Sequence, residues 1–464
     1  MWRERILRSR CGQIPCFLSD FLPYSSRYTM NMHTYPETLT LTPLEHAPNA
    51  VVAIPGSKSI TNRALILAAL ADGTTTLINA LFSDDTRVMT EALKSLGFGI
   101  EADAERETIT VVGQRGQIPA MHAELFCGNS GTSIRFLTAL CALGKGGSYT
   151  LDGVERMRQR PQGDLLHALE SQGITTTAEF GNGCPPLHIH SQNGLKGGTV
   201  SLRADASSQF VTALLMVAPY ANATLEIVIE GNLRPFYVTM TRQMMAQWGV
   251  HTEETERGFV VPAGQRYLAQ PEYTIEPDAS SASYFFAAAA LLGGTVTVPN
   301  LTPNALQGDV RFATEVLAEM GCTVTHDNRS IMVAAPADGI LHGITRDMSA
   351  ISDTSLTLAV LAPFADSPTT VTGIAHSRLQ ECDRIAAICT ELTKLGVQVE
   401  EYPDGFTIYP AAQIAPATIE TYHDHRVAMS FALIGLKVPG ITIANPACVA
   451  KTFPDYWQRL ERLR

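Results

Sequence analysis

The segment best suited to an anion is Pro55-Gly56-Ser57-Lys58-Ser59-Ile60-Thr61-Asn62-Arg63. Small residues surround one lysine and Arg63 follows about one helical turn later, so unpaired N–H groups and two cations meet at the start of a helix. This is not a Walker loop, which needs Gly-x-x-x-x-Gly-Lys-Ser/Thr, because Ser57 separates Gly56 from Lys58. Gly128-Asn129-Ser130-Gly131-Thr132 with Arg135 adds a flexible backbone, and Arg156-Met157-Arg158-Gln159-Arg160-Pro161 adds guanidinium forks that take phosphate or carboxylate in bidentate fashion. Glu381-Cys382-Asp383-Arg384, Asp424-His425-Arg426 and Lys451-Thr452-Phe453-Pro454-Asp455-Tyr456 mix acids with bases. Singly, each segment reads as a helix cap, solvated surface or a salt-bridged helix end. Together they could hold anions and move protons.

The elements that must position these groups repeat along the chain. Six times a short polar cluster precedes an apolar, helix-like run, and the markers Gly56, Gly131, Ser207, Ser280, Asp353 and His425 are spaced by 75, 76, 73, 73 and 72 residues. A second phase of the same period marks helices that end at Gly97, Gly173, Gly249, Gly321 and Gly396, glycine being the favoured residue just past a helix. Each unit therefore carries two helices, with β-branched segments such as Thr108 to Val112 and Thr369 to Val371 between them. The period exceeds the 20 to 50 residues of ordinary solenoid repeats. Three units in each of two domains is the natural division, with crossings near Pro55–Gly56 and Glu276–Pro277. Ser, Thr, Asp and Asn stand where N-caps belong, and six helix N-termini aimed at one cleft would attract anions.

Composition narrows the partners. Hydrophobic residues are 45% and charged residues 17% of 464, the profile of a globular chain of two or three domains. A net charge of −11 removes the uniform basic surface that binds nucleic acid or anionic lipid, so an anionic ligand must be held by locally gathered Lys and Arg. The longest apolar stretches, Tyr284 to Leu292 and Leu356 to Ala362, are far shorter than the ~20 residues of a spanning helix. Nine scattered cysteines without a Cys-x-x-Cys pair suggest reduced thiols and a cytoplasmic compartment rather than a disulfide framework or zinc site. Residues 1–37 read as a leader. Met1 to Tyr28 carries five arginines against Glu4 and Asp20, which suits a transit peptide or an over-extended start with Met30 or Met32 as the true beginning.

Taken together, the motifs from Pro55-Gly56-Ser57-Lys58-Ser59 through Gly128 to Thr132, Arg378 to Arg384 and Asp424-His425-Arg426 to Lys451-Thr452-Phe453-Pro454-Asp455-Tyr456 resemble, in order, those of the 5-enolpyruvylshikimate-3-phosphate synthase family over about Thr38 to Leu463. The resemblance implies a two-domain α/β (α+β) enolpyruvyl transferase-like fold of six βαβαββ units, three per domain, with the active site in the interdomain cleft. Domain 1 would be residues 38–56 plus 277–464, and domain 2 residues 57–276. The reaction implied is transfer of the enolpyruvyl group of phosphoenolpyruvate to the 5-hydroxyl of shikimate-3-phosphate by a cytoplasmic monomer, with no metal or organic cofactor and no nucleic-acid or membrane partner. Lys58, Asp353 and Glu381 would be catalytic. Phosphoenolpyruvate would meet Lys58, Gly131, Arg160, Gln209, Arg384, Arg426 and Lys451. Shikimate-3-phosphate would meet Lys58, Ser59, Arg63, Ser207, Ser208, Gln209, Tyr237, Asp353 and Gln380. The resemblance also implies inhibition by glyphosate at the phosphoenolpyruvate site.

The chain departs from the family at His376 and Gln380, where Asn and Lys are frequent, and at Arg234-Pro235-Phe236-Tyr237, where a Ser-x-Pro-Tyr stretch is usual. Two alternatives stand beside this reading. A UDP-N-acetylglucosamine enolpyruvyl transferase would share the repeats but use a loop cysteine, and Arg158-Gln159-Arg160-Pro161 occupies that region here. A non-catalytic anion-binding protein on the same fold would not need Lys58, Asp353, Glu381 and Lys451 together.

Overall fold

The computed structural model describes residues 35–205 and 207–464, and the leader up to residue 34 lies outside the described residues. The third unit displays the repeat in full. Strand Gly198–Arg203 leads through helix Ser208–Val217 to strand Leu225–Glu230, then through helix Phe236–Gln247 to the hairpin strands Glu253–Thr255 and Gly258–Val261. The first two strands pair in parallel and the rest antiparallel, in the order βαβαββ. Among the described residues there are six small sheets of this kind, five of four strands and one of three. The three-stranded sheet is the sixth, and strand Thr38–Thr40 joins its edge antiparallel to Thr442–Ala444.

Two units exchange their opening strands at the crossings. Strand Asn49–Val51 precedes the first unit's helix in sequence, yet it pairs in parallel with Thr295–Pro299 of the fourth unit. Strand Glu272–Thr274 precedes the fourth unit's helix and pairs in parallel with Thr74–Ile78 of the first. The crossing segments bind one another, Ser57 N–H donating to Glu276 C=O at 2.8 Å and Asp278 N–H to Pro55 C=O at 2.9 Å.

One helix of every unit is almost wholly buried: Lys58–Leu70, Gly131–Cys141, Ser208–Val217, Ala279–Leu292, Ser355–Leu361 and His425–Gly435. Their apolar residues face neighbours all round, as in Ala279–Leu292, which suits a helix enclosed on every side. They organise two separate apolar cores. One runs from Ile60 to Ile275, the other from Leu41 to Ile54 and from Ala279 to Leu463. The second helices lie outside, and where they end, Gly97, Gly173, Gly249, Gly321 and Gly396 all take positive φ between 82° and 97°. In the fourth unit the second helix is largely a π-helical stretch, Phe312–Leu317. Among the described residues no helix is long and apolar enough to cross a membrane.

Five of the six buried helices are capped by the side chain that precedes them. Ser57 accepts from Ile60 N–H, Ser130 from Ser133, Ser207 from Gln209, Asp278 from Ser281 and Asp424 from Arg426. The sixth, Ser355–Leu361, is entered through a 3₁₀ turn, Ser352–Thr354, instead.

Candidate active site

A cleft between the two cores is lined by the N-terminal turns of these helices, from Lys58, Ser59 and Arg63 through Gly131, Thr132 and Arg135 to Ser207, Ser208, Gln209, Asp353 and Arg426. Arg160, Arg234, Tyr237, His376, Gln380, Glu381, Arg384 and Asp85 complete the wall. Seven of the lining side chains are Lys or Arg and three are Asp or Glu, so the cleft is cationic in a protein whose net charge is −11. Lys451 stands behind Glu381 at 3.4 Å. The residues that the resemblance assigns to catalysis and to the two substrates therefore lie in or against one cavity.

The acids are held by the cations. Asp353 pairs through Oδ1 with Arg384 at 3.1 Å and through Oδ2 with Arg426 at 2.6 Å. Burial alone would raise its carboxyl, but Arg426, Arg384 and Lys58 outweigh burial and hold it below the usual carboxylate range. Glu381 meets Arg384 at 3.0 Å and Lys451 at 3.4 Å. Burial again pushes upward, and Lys451, Arg384 and Arg160 together hold the group well below its ordinary value. Both carboxyls are ionised. Arg384 is itself fixed by Asp424, whose Oδ2 takes Nε–H at 2.8 Å while its other oxygen caps the last buried helix.

The cations on the opposite wall are less completely satisfied. Arg160 donates to Asn129 C=O at 3.0 Å, yet its Nε is buried without a partner among the described residues. Arg135 donates to Gln209 Oε1 at 2.7 Å and also leaves Nε unpaired. Burial, with Arg160 close by, pushes Arg135 down to about 9. These are conditions under which a bound anion is welcome. A Cβ at Gly131 would stand 2.4 Å from Arg160 Nη2, so any side chain there would displace that guanidinium. Arg63 is more enclosed. It lies 5.2 Å from the Phe136 ring centre and 5.6 Å from that of Tyr237, and donates to Thr241 at 2.8 Å and Ser59 C=O at 2.9 Å.

The mixed motifs divide between the cleft and the surface. Arg160 enters the wall while Arg158 pairs with Asp152 outside, and Arg156 reaches across to Gln380 C=O at 2.8 Å. Arg378 serves Asp383 and Glu401 on the outer face. Gln380 accepts from Arg384 through its side chain, and His376 sits 2.9 Å from Ser352 Oγ. Arg234 lines the cleft and donates to Asp205 C=O at 3.1 Å.

The motifs do not nominate Asp85. It lies 3.4 Å from Lys58 and 2.9 Å from Lys451, joining two proposed phosphoenolpyruvate ligands from opposite halves. In the sequence it is one of two acids opening helix Asp84–Ser95, where a carboxylate is expected for reasons of the helix alone.

Comparison with known proteins gives a consistent set of likenesses. A family model described as EPSP synthase (3-phosphoshikimate 1-carboxyvinyltransferase) matches residues 45–460. The 3-phosphoshikimate 1-carboxyvinyltransferase of Nostoc punctiforme is 50% identical over 425 residues, 91% of this chain and 98% of that protein. The chloroplastic enzyme of that name from Arabidopsis thaliana is 46% identical over 429 residues, 89% of this chain and 82% of the relative. Among solved structures, EPSP synthase from Acinetobacter baumannii superimposes with a TM-score of 0.77 at 25% identity, over 92% of this chain and 98% of that one. The enolpyruvyl transferase NikO from Streptomyces tendae gives a TM-score of 0.68 at 19% identity, over 92% of this chain and 97% of that one, a likeness of fold.

Proposed function

The chain belongs to the EPSP synthase family, and from that premise we infer that its cleft joins phosphoenolpyruvate to shikimate-3-phosphate, releasing phosphate, in the shikimate route to aromatic amino acids. One observation carries the assignment of the cleft: cations and helix N-termini from both halves converge on a cavity that also holds two ionised carboxylates, Asp353 and Glu381. Both substrates carry phosphate and carboxylate, which suits such a wall.

The chemistry needs a base and an acid on opposite sides of one carbon. In the addition step the 5-hydroxyl oxygen bonds to C2 of phosphoenolpyruvate, its proton leaves to a base, and the methylene C3 gains a proton. In the elimination step the C2–O bond to phosphate breaks and C3 returns a proton. Asp353 with Lys58 takes the hydroxyl proton, and Glu381, ionised in the empty cleft, takes up a proton from solvent as the substrates bind, gives it to C3 in the addition and recovers it in the elimination. The ion pairs supply a trigger. Arg384 and Arg426 hold Asp353, and Arg384 and Lys451 hold Glu381, and these same cations are the proposed phosphoenolpyruvate ligands. An arriving anion competes for them, so binding raises the proton affinity of both carboxylates at the moment they must act. Lys58 and the remaining cations stabilise charge on the phosphate as it departs.

The departures at His376, Gln380 and Arg234 fall on the side assigned to shikimate-3-phosphate, where Arg234 returns a cation to the wall. We place the domain boundaries at 38–56 plus 277–464 and at 57–276, supported by the two apolar cores and the paired crossings. A monomer is supported by a cleft built from one chain, and the cytoplasm by seven free cysteines among the described residues. The deciding experiment is a phosphate-release assay with phosphoenolpyruvate and either shikimate-3-phosphate or UDP-N-acetylglucosamine as acceptor. Turnover is expected with the first alone, and turnover only with the second, or with neither, would reject the reading.

A further inference from the structure

Asp309 is a buried carboxyl that the chemistry above does not use. It lies in the turn Gly308–Val310, is 2% exposed, and its Oδ1 has no hydrogen-bond partner among the described residues. Its Oδ2 stands 3.2 Å from the hydroxyl of Tyr237, which comes from the other core's side of the cleft. The same hydroxyl lies 3.5 Å from Asp353 Oδ2. Tyr237 is thus placed between two carboxyls and has one proton to give.

The surroundings of Asp309 are short of positive charge. Asp353 and Asp278 face it, with Arg426 as the cation that opposes them, and Ser280 at the start of helix Ala279–Leu292 offers a hydroxyl. On its own segment Arg311 turns away to Glu315 and over the Phe236 ring. Arg426 is already committed to Asp353 at 2.6 Å. Burial first, and Asp353 second, push Asp309 up to about 7, while burial and both aspartates hold Tyr237 well above its ordinary value so that it keeps its proton.

We propose that Asp309 is a positioning residue whose own proton turns the Tyr237 hydroxyl toward Asp353 and the cleft. Protonated Asp309 donates its O–H to the Tyr237 oxygen, and Tyr237 then donates into the site. Ionised Asp309 accepts the Tyr237 hydrogen bond for itself, deprives Asp353 of a donor, and sets a second negative charge beside the place where an anionic substrate must enter. Asp309 touches no reacting atom and acts through Tyr237. The inference rests on the reading that shikimate-3-phosphate occupies this side of the cleft.

The consequence is a pH-dependent affinity. Only the protonated form is competent, so the apparent Kd is divided by its fraction and weakens about tenfold between pH 6 and pH 8. Calorimetric titration of shikimate-3-phosphate into the parent, Asp309→Asn and Tyr237→Phe at both pH values tests this. The substrate's own phosphate titrates equally in all three, so differences between proteins report the site. The parent should lose about tenfold more affinity than Asp309→Asn on going to pH 8, and should take up close to one more proton on binding there, read from buffers of different ionisation heat. Tyr237→Phe should lose most of the pH response as well. That variant carries the test if Asp309→Asn fails to fold. A parent-like pH response in folded Asp309→Asn, or in Tyr237→Phe, overturns the inference. No binding to the parent at either pH would overturn the substrate reading and this inference with it.

Discussion

Glu381 is held as a carboxylate by three cations, so its removal should separate chemistry from binding. Glu381→Gln keeps the size and one acceptor but cannot carry a proton to C3, and turnover should fall about 10²–10⁴-fold with little change in KM for either substrate. Steady-state kinetics on the folded variant checks this, and parent-like turnover would move both proton steps to Asp353 and Lys58. His376 offers a stability test. Burial, with Arg234 beside it, pushes the imidazole from 6.5 down to about 4. Between those values the unfolded chain takes up a proton that the folded one refuses, so stability present above pH 6.5 is lost as the pH falls toward 4. His376→Gln should remove that loss, worth up to about 2 kcal/mol at pH 4.5, in urea unfolding compared between pH 7 and pH 4.5. Residue types and spacing singled out Lys58 with Arg63, cations beside Ser and Gly at a helix start, whereas Arg160, Asp353 and Arg384 took their roles from the family resemblance. Asp85, Asp309 and the unpaired Nε atoms were not legible. Their significance is which charge stands across the cleft, and spacing along one chain does not encode that.

At the scale of elements the repeat was legible because helix ends carry their own chemistry. Ser57, Ser130, Ser207, Asp278 and Asp424 cap where N–H groups would be orphaned, and five glycines close the outer helices, so the period shows without any knowledge of sheets. The crossings were placed near Pro55–Gly56 and Glu276–Pro277, but which strands pair across them left no such mark. Asn49–Val51 would read equally well as a partner for Thr74–Ile78, and its pairing with Thr295–Pro299 is decided by the path of the chain at the crossings. The caps are not equal in energy. In the empty cleft Ser207 contributes its capping bond, accepting from Gln209 N–H at 3.2 Å, so Ser207→Ala should cost about 1 kcal/mol of stability. Asp424 caps and also holds Arg384, whose side chain is 2% exposed. Asp424→Asn takes one of three carboxylates from that guanidinium, Asp353 and Glu381 remaining, so the cost should exceed that of a lost cap but stay at or below the roughly 3–5 kcal/mol of an uncompensated buried charge. Thermal unfolding should therefore order the two variants clearly, and a smaller Tm loss in Asp424→Asn than in Ser207→Ala would show that Glu381 and Asp353 suffice to hold Arg384.

At the scale of the whole molecule, two strand crossings join the cores; Leu306 and the Arg311–Phe236 stack add contacts between the halves, and several polar contacts span the cleft. Lys451 reaches Asp85 at 2.9 Å and Asn129 C=O at 2.8 Å, Arg156 reaches Gln380 C=O, and Tyr237 reaches Asp309. These are polar, unlike the packing within each core, so the hold across the cleft depends on charge and hydrogen bonds. Proposed ligands divide the same way, Lys58, Arg63 and Arg160 on one side and Arg384, Arg426 and Lys451 on the other. A polyanion bridging them adds attraction that exists only when the halves are together, which is the condition for hinge closure. Closure also excludes water from the reacting carbon. Small-angle scattering should give a smaller radius of gyration with shikimate-3-phosphate plus glyphosate than with neither. Lys451→Ala deletes two of the contacts across the cleft and one proposed ligand, so the same pair should compact it less and bind more weakly. An unchanged radius in the parent, with binding established by calorimetry, would mean that the cleft receives its ligands without moving, and the competition for Arg384 and Lys451 would then have to proceed inside a rigid site.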